Sequence, residues 1–327
     1  MVLFFLACEP DDPAPAPMDP TVEGPYGVGR KTAALDDDRG GTLTVDVWYP
    51  ADVSGEPDPY APTVFTGLAR IGAPRVEGEF PLVVFSHGNG GIRFQSFFLT
   101  EWLASHGFVV VAPDHPHNTA FDYDDSVLDE VMARRPGDVS RAADYAIESY
   151  GTEEQYLVMG HSFGGWTTLA VAGGTLDFTW MDQWCADGGV GELCGIDHPT
   201  ETIADQPDPR AYGGVAMAPC GWYSFGESGL ANETGVAVMA GEKDTTCPLE
   251  GEAKPTVERL GAPTALYTVA GGGHFVFSIL CDLGPIQEEC GDPTYASTEE
   301  AQPGIAAWAT AWALRRWTGD EAYDAWL

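Results

Sequence analysis

Short runs of apolar residues alternate along the chain with stretches whose apolar positions are spaced three and four residues apart. The apolar runs are short enough to be buried strands, and they span residues 42–50, 81–87, 108–114, 155–160, 213–219, 235–241 and 264–271. The stretches with helical spacing span residues 94–107, 138–151, 163–174 and 304–317, and Asp138 is a predicted N-cap. Strands that alternate with helices predict an α/β fold with a mainly parallel central sheet flanked by helices.

Two regions depart from this alternation. Residues 9–24 are rich in Pro and Asp and predict a disordered tether, because this composition buries too little apolar surface to fold. Residues 175–212 are rich in Asp, Gly and Pro and predict a loop-rich insertion that forms a partial cap over a cleft. We therefore place a single folded domain at residues 25–327.

The charge of the chain limits its partners. It carries 50 acidic and 15 basic side chains among 327 residues, a formal charge of −35 at pH 7. Nucleic acid and anionic membrane surfaces are polyanions that such a protein repels, so both are excluded as partners. The hydrophobic fraction of 44% is nevertheless sufficient for a substantial core.

Six of the seven cysteines lie in the second half of the chain, and none forms a C-x-x-C pair. This pattern favours three disulfides and an oxidising compartment over a compact zinc site. The favoured pairs are Cys185–Cys194 and Cys281–Cys290, which close short loops, and the remaining Cys220–Cys247. A Cys247–Cys281 bridge, with Cys220 paired to Cys290, is the main alternative.

The N-terminal segment suggests export. Residues 1–8 end in "VLFFLAC", which resembles the end of a bacterial lipoprotein signal with Cys8 as the lipidated residue. The segment lacks a basic n-region and its apolar run is short, so another secretion signal or an apolar start without function are the alternatives. We expect a protein outside the cytoplasm, secreted or tethered to a membrane through Cys8.

The stretch "YLVMGHSFGGWTT" contains a G-x-S-x-G motif centred on Ser162. The motif alone is weak in a glycine-rich chain, but here it joins a predicted strand to a predicted helix. This is the context of a nucleophile elbow, which lifts the serine Oγ above the sheet edge. Ser162 is therefore the candidate nucleophile, and the flanking glycines avoid collisions with the neighbouring helix or strand.

A serine nucleophile needs a base and a carboxylate that orients it, and on such folds they follow in the order Ser, Asp or Glu, His. Two histidines follow Ser162, and His274 lies just after a predicted strand whereas His198 lies in the irregular insertion. We therefore predict His274 as the base. Asp244, just past the preceding strand, is the predicted acid, with Glu242 as the alternative.

The glycine-rich loop "SHGNGG" follows an earlier strand, and its backbone is free to approach a substrate. An oxyanion hole needs two backbone N–H groups, one from the residue after the nucleophile and one from such a loop. We predict Phe163 and Asn89 as these donors, with Gly90 as an alternative to Asn89. Gly88, Gly90 and His161 are predicted to contact substrate.

The series "WYP", "PLVVFSHGNGG", "LASHGFVVVAPDH", "GHSFGG", "AGEKDTTCP" and "GGGHF" resembles the α/β-hydrolases of the bacterial platelet-activating-factor acetylhydrolase-like and cutinase-like polyesterase type. The resemblance covers residues 25–318. It implies the α/β-hydrolase fold, supports Asn89 and Phe163 as oxyanion donors, and suggests Trp222 of "APCGW" as a substrate contact, two residues later than usual in the polyesterases.

The sequence thus predicts a secreted serine carboxylester hydrolase that acts through an acyl-enzyme on short-chain, lipid-like or polyester substrates. We expect a monomer without a cofactor. The histidines of "DHPH" (114–117) are interpreted as a polar loop beside the cleft, and no metal site is predicted. The alternatives are an amide or lactone hydrolase with the same triad, and a non-catalytic lipoprotein that binds apolar ligands.

Overall fold

A mainly parallel sheet forms the centre of the computed structural model, which describes residues 17–36, 41–60, 65–191, 193–195, 207–231, 235–261 and 263–327. Within these ranges the strands are β1 (Gly27–Asp36), β2 (Thr42–Ala51), β3 (Ala69–Ile71), β4 (Leu82–Ser86), β5 (Val109–Pro113), β6 (Tyr156–His161), β7 (Ala211–Met217), β8 (Val236–Gly241) and β9 (Leu266–Val269). Their spatial order is β3-β1-β2-β5-β4-β6-β7-β8-β9. The strands from β5 to β9 in this order are all parallel, whereas β1 and β2 pair antiparallel and β2 pairs antiparallel with β5.

Helices cover both faces of the sheet. They are α1 (Phe97–Ser105), α2 (Leu128–Tyr150), α3 (Phe163–Val171), α4 (Phe178–Ala186), α5 (Lys254–Arg259), α6 (Glu288–Gly291) and α7 (Thr298–Thr318). Helices α1 and α7 share one buried cluster with the side chains of one sheet face. Helices α2 and α3 share the second cluster with the opposite face. The parallel strands are therefore buried on both sides.

Successive side chains of the central strands enter opposite clusters. In β4, Val83 and Phe85 pack with α1 and α7, whereas Leu82 and Val84 pack with α2 and α3. This alternation explains why the strands have no polar face: every position is buried. The continuous apolar runs of the sequence arise from this two-sided burial.

All seven predicted strands are present, but the edge strands β1 and β3 were not predicted. The predicted helix at 138–151 is also too short, because α2 begins at Leu128. Asp138 is consequently not an N-cap. It lies inside α2, and its carboxylate is bonded to His115 instead.

The tether prediction is wrong for residues 17–24. The Trp102 indole N–H donates to the carbonyl of Pro20 over 3.0 Å, and the Gly24 N–H donates to Ser105 Oγ over 3.1 Å. Met18 packs against the core, and its N–H donates to the Tyr323 hydroxyl. These contacts fix the segment beside α1. The rest of the predicted tether and the predicted lipidation site Cys8 lie outside the described residues.

The insertion after α3 contains an unpredicted helix, α4. The Asp177 carboxylate caps it by accepting a hydrogen bond from the Trp180 N–H over 2.9 Å. The structure forms the three favoured disulfides, Cys185–Cys194, Cys220–Cys247 and Cys281–Cys290. The first of these joins the end of α4 to the following loop.

None of the helices among the described residues combines the length and apolar character that crossing a membrane requires.

Candidate active site

Ser162 occupies the turn between β6 and α3 at the carboxyl edge of the sheet. Its φ of 58° and ψ of −119° are rare for a residue with a side chain. The Ser162 N–H donates to the Met217 carbonyl over 2.8 Å, which anchors the turn to the neighbouring strand. A Cβ on Gly160 would collide with the Gly164 backbone, and one on Gly164 with the Ser86 carbonyl. The two glycines thus allow the close approach that the turn requires.

His274 and Asp244 meet in the loops after β9 and β8. His274 Nδ1 lies 2.8 Å from Asp244 Oδ2, and both side chains are buried. The other carboxylate oxygen of Asp244 accepts from the backbone N–H groups of Thr246 and Cys247, over 2.9 and 2.7 Å. With Nδ1 donating to the carboxylate, Nε2 of His274 is left as the acceptor.

The other acid considered for this role takes no part in the pair. Glu242 Oε2 accepts from the Gly271 N–H over 2.8 Å, which ties together the loops after β8 and β9. The alternative histidine, His198, lies outside the described residues. Of the described candidates, the structure therefore brings Asp244 to His274.

The loop that carries His274 is held by a carboxylate that the sequence analysis missed. Glu289 of α6 accepts hydrogen bonds from the backbone N–H groups of both His274 and Phe275. The adjacent Cys281–Cys290 disulfide ties α6 to the segment that follows this loop. Glu289 gave no signal in the sequence, because only the fold brings it to His274.

Two cavities, each of about 160 Å3, meet at Ser162 and Asn89. Their walls are mainly apolar. The first is lined by His274, Gly88, Gly90, His161, Ile92, Phe275, Ile279, Leu280 and Leu283, among others. The second is lined by Phe163, Leu128, Trp166, Leu193, Cys220 and Thr246. Leu193 follows α4, so the described part of the insertion does reach the serine.

The two predicted oxyanion donors flank Ser162. Asn89 and Gly90 form a tight turn closed by the Gly91 N–H, which donates to the Gly88 carbonyl over 3.1 Å. In the part of the chain that the structure describes, no protein acceptor takes the Asn89 N–H. Phe163 is the first residue of α3, where a helix has no internal acceptor for its N–H. Both donors are thus available to a ligand.

His161 lines the first cavity, and both of its ring nitrogens are hydrogen-bonded within the protein. Its Nδ1 accepts from the Gln95 amide over 3.1 Å, and its Nε2 donates to the His274 carbonyl over 2.9 Å. Gln95 in turn accepts from the Gly88 N–H over 3.1 Å. Burial, and then the neighbouring His274, lower the pKa of His161 well below its ordinary value. The uncharged ring thus links the glycine-rich loop to the base loop.

Trp222 does not line either cavity that contains Ser162. It is buried in an aromatic cluster with Trp180 and Trp184 of α4, and Arg259 stacks on its ring at 3.9 Å. Its indole N–H donates to the Gly251 carbonyl over 2.9 Å. Trp222 stands two residues later than the corresponding Trp of the polyesterases, and here its indole packs against α4 of the insertion.

A second Asp–His–Ser series lies next to the glycine-rich loop. His115 Nδ1 is 2.9 Å from Asp138 Oδ2, and His115 Nε2 is 2.9 Å from Ser86 Oγ. Ser86 and His115 are fully buried. The sequence predicts that His115 lies in a polar loop beside the cleft, but its bond to Asp138, 23 residues away, was not predicted.

The parallel sheet, the serine turn after β6 and the buried Asp–His pair in the loops after β8 and β9 are the features of the α/β-hydrolase fold. A family model for chlorophyllase matches residues 56–202. Cutinase 2 of Thermobifida cellulosilytica is 35% identical over 106 residues, which cover 32% of this chain and 39% of the relative. Cutinase cut1 of Thermobifida fusca is also 35% identical over 106 residues, 32% of each chain.

The chain thus has the α/β-hydrolase fold, and about a third of its length is similar in sequence to cutinases. The matched segment spans less than two fifths of the length of these relatives.

Proposed function

We propose that the protein is a serine carboxylester hydrolase with Ser162, His274 and Asp244 as its catalytic triad. One observation carries this proposal: the His274–Asp244 pair, at 2.8 Å, borders the same cavity as Ser162. The names of the relatives, cutinase and chlorophyllase, both denote ester hydrolases. The elbow, the acid and the base also follow one another in the chain order of this fold.

In the proposed mechanism, Ser162 Oγ attacks the ester carbonyl while His274 Nε2 accepts its proton. The proton then passes to the departing alkoxide, and the acyl group remains on Ser162. Water, deprotonated by His274, attacks the acyl-enzyme and releases the acid. Asp244 keeps the Nδ1–H tautomer in place and stabilises the imidazolium at both steps.

The negative charge that develops on the carbonyl oxygen is stabilised by the backbone N–H groups of Asn89 and Phe163. Removal of one such donor typically lowers kcat by roughly 10²–10³-fold. The dipole of α3, whose N-terminus starts at Phe163, acts in the same direction.

The apolar cavities on either side of Ser162 favour an ester with an apolar group on each side of its carbonyl. Each cavity measures about 160 Å3. An apolar cavity of about 150 Å3 accommodates a molecule of the size of benzene. We therefore propose short-chain esters and polyester segments with small repeating units as the substrate class.

A fluorophosphonate probe and a series of p-nitrophenyl esters with acyl chains from acetyl to dodecanoyl test this proposal. We expect covalent labelling of the wild type, no labelling of Ser162→Ala, and turnover that is highest for the short acyl chains. Matched p-nitroanilides separate the amide alternative, and small lactones the lactone alternative. Labelling without ester turnover contradicts the ester assignment, and a complete lack of labelling favours the non-catalytic ligand-binding protein.

The three disulfides support a location in an oxidising compartment outside the cytoplasm. We propose a secreted protein, with a lipid on Cys8 as the more specific form of this location. Labelling of growing cells with an alkynyl fatty acid tests it: we expect the label on the wild type and none on Cys8→Ser.

A further inference from the structure

Arg135 of α2 is a fully buried cation that contacts both the His87 carbonyl, near Asn89, and the Phe163 ring. Its hydrogen-bond acceptors are neutral oxygens of the surrounding elements: Thr167 Oγ1 at 3.0 Å, Asn118 Oδ1 at 2.6 Å, Ser86 Oγ at 3.1 Å and the His87 carbonyl. None of these four acceptors is a carboxylate, so they do not neutralise the charge of the guanidinium.

The neighbouring histidines are uncharged, so Arg135 is the main positive charge beside the glycine-rich loop. Burial, and then Arg135 itself, lower the pKa of His87 to about 3 and that of His115 well below its ordinary value. Both rings are therefore uncharged at neutral pH. Burial lowers the pKa of Arg135 to about 9, and the Asp138 carboxylate acts in the opposite direction. Arg135 is thus protonated at neutral pH.

Arg135 reaches the first oxyanion donor through Asn118. Asn118, which accepts from Arg135 Nη1, donates from its own Nδ2 to Asn89 Oδ1 over 2.7 Å. Arg135 also holds the carbonyl of His87, two residues before Asn89. These bonds fix the turn from both sides, and the turn determines where the Asn89 N–H points.

Arg135 reaches the second donor through α3. Its guanidinium carbon lies 4.5 Å from the centroid of the Phe163 ring, in the range of a cation–π contact. Arg135 Nε donates to Thr167 Oγ1, and that hydroxyl donates to the Phe163 carbonyl over 2.9 Å. One side chain therefore contacts the supports of both predicted N–H donors.

We propose that Arg135 is a positioning residue that aligns the Asn89 and Phe163 N–H groups and adds positive potential to the oxyanion hole. The inference rests on the proposed function, because it needs an oxyanion intermediate at Ser162. The developing oxyanion is present in the transition state and not in the bound ester. Loss of Arg135 must then lower kcat and leave KM nearly unchanged.

The test compares Arg135→Met, Arg135→Lys and Asn118→Ala with the wild type. We expect kcat to fall roughly 10- to 100-fold in Arg135→Met, a smaller loss than removal of an oxyanion donor causes. KM should stay within about threefold of the wild-type value. Arg135→Lys keeps the charge but not the planar fork, so it should recover part of the loss. Asn118→Ala keeps Arg135 and cuts its connection to Asn89, so it should lower kcat by a smaller factor.

Affinity for a boronic acid that forms a tetrahedral adduct with Ser162 provides a second readout. We expect this affinity to fall in parallel with kcat/KM, while affinity for an uncharged, non-hydrolysed amide analogue of the substrate stays constant. Arg30→Met is the matched control: Arg30 is also buried and stacks on an aromatic ring, that of Tyr60 at 3.8 Å, but lies on β1. A mainly structural role predicts that both Arg-to-Met variants lose thermal stability and activity alike.

The inference is overturned if Arg135→Met keeps kcat within threefold, or if it raises KM at constant kcat. If Arg135→Met does not fold, the test rests on Arg135→Lys and Asn118→Ala. The proposal is then contradicted if both variants bind the boronic acid as tightly as the wild type. Failure of the proposed function has a different signature, because the wild type itself would then show no Ser162-dependent labelling.

Discussion

The molecule contains the same three residue types, Asp, His and Ser, in two arrangements that share a hydrogen bond between a buried histidine and an aspartate. In one, His274 bonds to Asp244 and faces the cavity that contains Ser162. In the other, His115 bonds to both Asp138 and Ser86, with no exposed surface on Ser86 or His115. The second serine also accepts from Arg135, which occupies a lone pair of its oxygen.

The two arrangements consist of the same residue types and differ in their access to a cavity. Ser162 has a cavity on either side, a free helix N-terminus and a turn that exposes its Oγ. Ser86 is the last residue of a central strand, so no acyl carbon can reach it. We infer that the series of Ser162 performs the chemistry. The series of Ser86, which we call the sealed series, supports the loop beside it.

The largest contrast is expected between the two serines. Ser162→Ala should lower kcat by about 10⁴-fold or more and abolish labelling by a fluorophosphonate, because the nucleophile is lost. Ser86→Ala should keep the labelling and lose far less activity, since only a support of the loop changes. Steady-state kinetics and intact-mass measurement check both. Equal losses in the two variants would contradict the division of roles.

Substitution of Asp244 should act on catalysis, whereas substitution of Asp138 should act on stability. Asp244→Asn should lower kcat by about 10³–10⁴-fold, because the amide no longer holds the required tautomer of His274. Asp138→Asn should act mainly on the free energy of unfolding, lowering it by about 1–3 kcal/mol through the weakened bond to His115. Kinetics and urea denaturation of both variants test this. A pure stability effect in Asp244→Asn would remove it from the triad.

Loss of the support of the His274 loop should have a smaller effect. Glu289→Gln leaves one carboxamide oxygen for two backbone donors, His274 and Phe275. We expect kcat to fall by roughly tenfold, comparable with the loss of a single hydrogen bond of about 1.5 kcal/mol to a charged group. Glu288→Gln, the exposed neighbour, is the control and should match the wild type. Unchanged kinetics in Glu289→Gln would show that Glu289 does not position His274.

His87, whose Nε2 accepts a hydrogen bond from the His115 N–H beside the sealed series, should make the stability depend on pH. The folded protein keeps His87 uncharged down to a pKa of about 3, whereas the unfolded chain protonates it near 6.5. The unfolded state therefore binds more protons between these values, and stability falls as the pH is lowered through this window. His87→Gln should reduce the slope by about 1 kcal/mol per pH unit. Denaturation at pH 6 and pH 4 measures it, and parallel slopes would exclude the linkage.

The parts that the sequence could predict are those encoded by local patterns. The central strands were found because burial on both faces leaves continuous apolar runs, as in β4. The turn at Ser162 was predicted because it requires glycines at fixed positions. Asp244 and His274 followed from their places after two strands and from the chain order of this fold.

The residues that were missed act through contacts between distant parts of the chain. Arg135 bonds to the His87 carbonyl across 48 residues, and Glu289 reaches His274 across 15. No periodicity marks such side chains. Asp138 was interpreted as an N-cap because it stands at the start of an apolar pattern, but α2 begins earlier. Strand β1 was missed because Arg30 and Lys31 interrupt its apolar positions.

The backbone of Ser162 has an evolutionary consequence. A residue with a side chain in such a sparsely populated conformation destabilises the fold by on the order of 1–3 kcal/mol, and glycine at the same place would remove most of that strain. Selection for folding alone would therefore favour glycine at position 162. The serine at this position therefore points to selection for the function of its hydroxyl, at the expense of fold stability.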